Sequence, residues 1–301
     1  MRDAEASEPE AVESRPLAEA LREQLGEVRS ASEQRTIAGL VREIGKLPAD
    51  RARAVLEVSA QLAALSLRVS LEFLRAATGA AQVLEAAGLR EWGDMGCRLA
   101  SADVETGANF FKAGVAELLE VPVVARPLLF QVCARQLPLS TSIATETFTR
   151  APELARAAGD GETLAATYEV ALEIARRSAR HSADFLAASP AAFAHLEKYA
   201  PAAAAKGAGR NEVARAALHL AGVFAERAGG VAADAWTNLP TAIADLDAEQ
   251  TRTLFRHTEQ FLERGGAAAL HVFIAGGEVL RLAPEVFADW TALLHAVAAQ
   301  G

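Results

Sequence analysis

"DFLAASPAAFAHL" (residues 184–196) has a near-copy 50 residues further on, "DAWTNLPTAIADL" (residues 234–246). Asp184, Leu186 and Pro190 in the first stretch match Asp234, Trp236 and Pro240 in the second. Bulky apolar side chains follow the proline in both. With Pro190 as the register mark, equivalent positions fall at Thr78, Val115, Pro152, Pro190, Pro240 and Glu278, separated by 37, 37, 38, 50 and 38 residues. Four residues before each mark stands Leu74, Phe111, Phe148, Leu186, Trp236 or Ile274. About 18 residues earlier comes a second bulky position: Leu56, Trp92, Phe130, Tyr168, Leu218 and Phe255. Two anchors that stay in phase through six units mark an internal repeat.

A period near 38 fits a helix–turn–helix unit, two helices plus their turns. One such unit cannot bury its apolar face alone, so neighbours stack. The expected fold is therefore all-α, an α-solenoid of stacked helix–turn–helix repeats. Composition agrees: alanine is abundant, aromatics are 6% of the chain and β-branched residues are sparse. "LREWGDMGCRLASADVETGANFFKAG" (89–114) displays the unit. Trp92, Met95 and Leu99 share one helix, Ser101 and Asp103 offer cap oxygens, and Val104, Ala108 and Phe111 share the next. The prolines read as helix starts: Ser189 as N-cap with Pro190 first in the helix, Pro240 likewise, and Pro152 opening a short helix that closes at Gly159–Asp160–Gly161. "VPVVA" (121–125) is the best strand candidate, and its flanking prolines make it a poor one.

Residues 1–16 are acidic and poor in bulky apolar side chains, which predicts a disordered N-terminus. Residues 17–301 read as one repeat domain, with Trp290 opening a unit that is not completed. The 50-residue interval holds about 12 extra residues. They fall near "YAPAAAAKGAGRNEV" (199–213), an irregular insertion in the array.

The formal net charge of −9 argues against a whole-surface nucleic-acid footprint. Arginine supplies the basic residues almost alone, a bias expected of GC-rich bacterial coding. Two cysteines, Cys97 and Cys133, form no CxxC and no disulfide framework, so reduced thiols in a cytoplasmic protein are expected. No signal-peptide pattern follows Met1, and no apolar run reaches the length of a membrane span. HExxH, GxSxG and Walker patterns are absent, and the six histidines make no metal-ligand spacing. Glu259 and Glu263 lack an ExxH partner. No catalytic, cofactor or metal site is therefore expected, and the chain reads as a non-enzyme. "STSIATETFT" (140–149) reads as helix capping and a polar face.

The residues singled out for partner binding are cations. Lys206 and Arg210 flank the glycines of "KGAGRN" (206–211), just ahead of a helix. Arg176, Arg177 and Arg180 cluster in "ARRSARH" (175–181), with Arg176 and Arg180 at helical i, i+4 spacing.

Trp92, Gly96, Leu99, Ala108, Phe110 and Phe111, then Val121–Pro122, and later Phe185, Leu186, Ser189 and Pro190 carry a resemblance. The chain resembles the helical repeat region that precedes a von Willebrand factor A domain in bacterial relatives of the nitric oxide reductase activation protein. That resemblance implies a partner among MoxR-type AAA+ ATPases or A-domain proteins. The DxSxS metal motif of such A domains is missing, so the likeness is to the repeat region without the A domain. The function expected is a protein–protein interaction scaffold or adaptor. The alternative is a helical-repeat nucleic-acid binder, which would need Arg176, Arg177, Arg180, Lys206, Arg210 and Arg215 to converge on one face.

Overall fold

The computed structural model describes residues 31–113, 115–199 and 212–298. The expected N-terminal disorder, and with it Lys206 and Arg210, lies outside these residues. The protein is all-α, with no strand among the described residues. Contacts divide the chain into two compact units, Met1–Leu119 and Glu120–Gly301.

The first unit contains α1 (Ala31–Ile44), α2 (Ala49–Leu65), α3 (Leu67–Ala80), α4 (Ala86–Ala102), α5 (Val104–Ala113) and the single turn α6 (Ala116–Leu119). Here α2 packs on α3 and α4, while α3 packs on α1 and α5. Alternate helices therefore share a layer. Phe73, Trp92 and Phe111 fill the space between the layers, with ring centroids 5.0–5.4 Å apart.

The second unit opens at Pro122 with a 3-10 turn, Val123–Ala125, where "VPVVA" stood as the strand candidate. It continues through α7 (Arg126–Gln136), α8 (Thr141–Thr149), α9 (Ala151–Ala158), α10 (Gly161–Ala175), α11 (Ala179–Leu196), α12 (Glu212–Ala228), α13 (Val231–Ala242), α14 (Ala248–Leu262), α15 (Gly266–Leu282) and α16 (Phe287–Ala298). Again each helix packs on the next but one. One layer holds α7, α10, α12 and α14; the other holds α8–α9, α11, α13 and α15.

A pair of small residues 11 positions apart recurs through both units: Ser59/Ser70, Gly96/Gly107, Cys133/Ala144, Ala171/Ser182, Ala221/Ala232 and Thr258/Ala269. Every member is buried, one in each helix of a pair, on either side of the turn. The second members lie 37, 37, 38, 50 and 37 residues apart. Small side chains let the two helices approach at this point. In three of the pairs the contact is also a hydrogen bond. The Ser70 hydroxyl donates to the Ser59 carbonyl (2.9 Å), Ser182 to the Ala171 carbonyl (2.8 Å) and the Cys133 thiol to the Ala144 carbonyl (3.6 Å). At Gly96 a methyl group would overlap the Phe111 ring.

The bulky anchors are buried in both positions with one exception. Ile274 is 39% exposed, and its neighbour Phe273, at 1%, points inward instead. Asp103 caps α5 through the Thr106 backbone N–H (2.7 Å). Ser101 lies inside α4, where its hydroxyl donates to the Cys97 carbonyl. Val104 is exposed. In "STSIATETFT", Ser140 caps α8, and Thr145 and Thr149 donate back to carbonyls one turn earlier.

The proline assignments divide. Pro152 does open α9, which ends at Gly159 with φ 77°. Pro190 and Pro240, however, lie inside α11 and α13. Ser189 is no N-cap: its hydroxyl donates to the Phe185 carbonyl and accepts from Trp236 Nε1 (2.9 Å each). The physical reason is one of magnitude. An interior proline costs about 3 kcal/mol. Phe185, Leu186, Phe193 and Leu196 are buried on both sides of Pro190, and each contributes roughly 1.5–3 kcal/mol. A helix that runs straight through the proline keeps all four.

Candidate protein-docking groove

A groove of about 640 Å³ lies between α10 and α12. Asp160 starts α10, accepting from the Thr163 backbone N–H at 2.8 Å. One face of that helix then turns to the groove at helical spacing: Glu162, Ala166, Glu169, Val170 and Glu173. From α12 come Arg215, Leu218, His219, Gly222, Val223 and Glu226, again spaced by three and four. Val170 and Leu218 are buried and form the floor. Glu162, Glu169, Arg215, His219 and Glu226 are exposed and form the rims. Among the described residues nothing fills the middle: a methyl group on Gly222 would meet only a Val170 carbon, at 3.8 Å.

The rim is acidic. Among the described residues Glu173 pairs with Arg176, three residues on in the chain, while the carboxylates of Glu162, Glu169 and Glu226 have no ion-pair partner. His219 faces Glu259 on α14 at 3.6 Å. A volume in this range admits several side chains of a partner.

Of the sequence-derived cations, Arg176, Arg177 and Arg180 stand nearby but do not form a face. Arg176 closes α10, Arg177 lies in the turn, and Arg180 belongs to α11, so Arg176 and Arg180 share no helix. Their i, i+4 spacing spans a turn at Ser178, which caps α11. Arg180 pairs with Asp184 on its own helix (3.1 Å). Arg177 donates to the Glu226 carbonyl (2.8 Å), tying the end of α10 to α12. Within "ARRSARH" it is thus Arg177 that touches the groove's framework. Of the groove's own residues, sequence singled out only Arg215, as a cation, and Leu218, as a repeat anchor. The available signal was Glu162, Glu169 and Glu173 at intervals of seven and four around Ala166 and Val170, one helix face with an acidic edge and an apolar centre.

Other reactive groups are quiet. Burial, helped by Asp94, pushes the half-buried Cys97 thiol up to about 11. Burial pushes the Cys133 thiol higher still, and likewise the Tyr168 phenol, which has no hydrogen-bond partner among the described residues. Neither cysteine presents a thiolate near neutrality. Among the described residues no group of three or more His, Cys, Asp or Glu could hold a metal ion, and no helix is long and apolar enough to cross a membrane.

Comparison of the chain with protein-family models, with curated proteins and with solved structures gives no match.

Proposed function

We propose that this chain is a non-enzymatic helical-repeat scaffold that binds another protein in the α10–α12 groove. The observation that supports it best is the groove itself: a buried apolar floor, charged rims, and an open centre between two helices that are otherwise packed together. A hydrophobic centre within a polar rim is the usual anatomy of a protein-binding patch. A nucleic-acid reading has less support. Arg176 and Arg180 are each neutralised by a carboxylate of their own helix, and Arg215 stands among glutamates. Phosphates need the opposite arrangement.

A photo-cross-linking residue placed at Val223 tests the reading, with the same residue at Arg180 as the comparison site. The expected result is a discrete protein adduct from Val223, identified by mass spectrometry and reproduced with the purified partner. Adducts from neither position would remove the scaffold reading. An adduct from Arg180 alone would move the interface to the cations that the sequence pattern favoured. If the adduct is an AAA+ ATPase, the likeness to A-domain-associated repeats gains its first support.

A further inference from the structure

We propose that the α10–α12 groove takes a basic segment of its partner, with Arg or Lys side chains against the carboxylates and small apolar side chains on the floor; this rests on the scaffold reading above. Charge decides the kind of partner. Glu162, Glu169 and Glu173 run along one wall, and Glu226 stands on the other. Glu173 is already paired with Arg176, so Glu162 and Glu169 are the carboxylates of this wall without an ion-pair partner among the described residues. Arg215 is the arginine of the lining, and the His219 ring is turned to Glu259. The groove is therefore negative on balance. An exposed rim carboxylate accepts a planar guanidinium in bidentate contact. An acidic segment meets repulsion at the same rims, so one set of charges both selects and rejects. Gly222 leaves the floor low enough for an aliphatic arginine stem or a small apolar side chain to lie on Val170.

The test is fluorescence anisotropy on the full chain. The probe is a labelled synthetic helix of about 16 residues with arginines at three- and four-residue spacing on an alanine–leucine background. Its counterpart carries glutamate for arginine. The arginine peptide should bind and the glutamate peptide should not. Affinity should drop at least about tenfold in the Glu169→Lys/Glu173→Lys variant. It should also fall as salt rises from about 50 to about 200 mM. Gly222→Trp fills the floor while keeping every charge, and it too should weaken binding. Circular dichroism shows whether each variant remains folded. Equal binding of the two peptides, or unchanged affinity in the charge-reversed chain, overturns the proposal. A concentration-dependent dimer that the same reversal abolishes also overturns it, since a second copy would then occupy the groove. If the Val223 cross-link still captures a partner after such a result, the scaffold reading stands and the basic-segment inference alone falls.

Discussion

The α2–α4 junction of the first unit and the α10–α12 junction of the second are built on one plan and end up opposite in character. Each brings together two helices of the same layer, one pair apart in the array. At α2–α4 a glycine on one helix receives a side chain of the other: Val58 fills the space over Gly93 so closely that a methyl group there would overlap it. Arg90 reaches across to Glu57 at 2.9 Å. At α10–α12 a glycine again faces a valine, Gly222 and Val170, but the space between them stays open. No ion pair crosses that junction among the described residues, because its rims carry mostly one sign of charge. Stacking of helix pairs therefore does not by itself decide whether a surface is sealed or receptive. The side chains that cross the junction decide it.

The sharpest test of that contrast puts the same change on both sides. Gly93→Ala should destabilise the protein by about 1–3 kcal/mol, because the added methyl group overpacks against Val58. Gly222→Ala should do the reverse. Its methyl group meets Val170 at an ordinary van der Waals distance of 3.8 Å without overlap, and replacing glycine within a helix stabilises by up to about 1 kcal/mol. Denaturant midpoints measure both. Two changes of the same sign and size would mean that the groove is not open in solution.

How much of this was legible in the sequence differs between core and groove. The large anchors stood out because bulky apolar residues in an alanine-rich chain are few, and Trp92, Phe111, Tyr168 and Trp236 belong to the core. The small pairs carry the same period yet escaped notice, because alanine, serine and glycine are common and only burial singles out Ser59 or Ser182. Prolines misled for a related reason. Local preference puts proline at a helix start, and tertiary burial around Pro190 outweighed it. The groove was hidden most deeply. Glu162, Glu169 and Glu173 look like an ordinary solvated face until α12, about 50 residues later, is set beside them. Nothing local distinguishes them from Glu57, whose charge is satisfied.

A hydrogen-bonded junction sits beside the open one, and its loss should be felt next. Between α10 and α11 the Ser182 hydroxyl donates to the Ala171 carbonyl and accepts from Gln136 Nε2 at 3.2 Å. Gln136 is 0% exposed, and its side-chain oxygen has no partner among the described residues. Alanine already occupies the matching positions 144, 232 and 269, so backbone approach does not require serine. Ser182→Ala should still cost about 1–2 kcal/mol, because it strands the buried amide of Gln136. Adding Gln136→Leu should recover much of that loss, since removing both partners removes the unmet demand. Non-recovery in a double-mutant cycle would mean that Ser182 acts through the Ala171 carbonyl instead.

The smallest effect is the most diagnostic, because its sign should flip between the two junctions. Glu57 and Arg90 are partly exposed, at 35% and 44% of their side chains, so Glu57→Gln should cost no more than about 1 kcal/mol. Glu169 stands one helical turn before Glu173, whose exposed pairing with Arg176 only partly offsets the repulsion between the two carboxylates. Glu169→Gln should therefore stabilise by about 0.2–0.5 kcal/mol at low salt, by relieving a like-charge pair. Added salt should shrink both changes toward zero, since both are screened Coulomb effects. Thermal midpoints of the two single variants across a salt series resolve this. A Glu169→Gln change that destabilises, or that ignores salt, would mean that Arg215 or another cation already satisfies the carboxylate. The groove would then have no surplus charge to offer a basic partner.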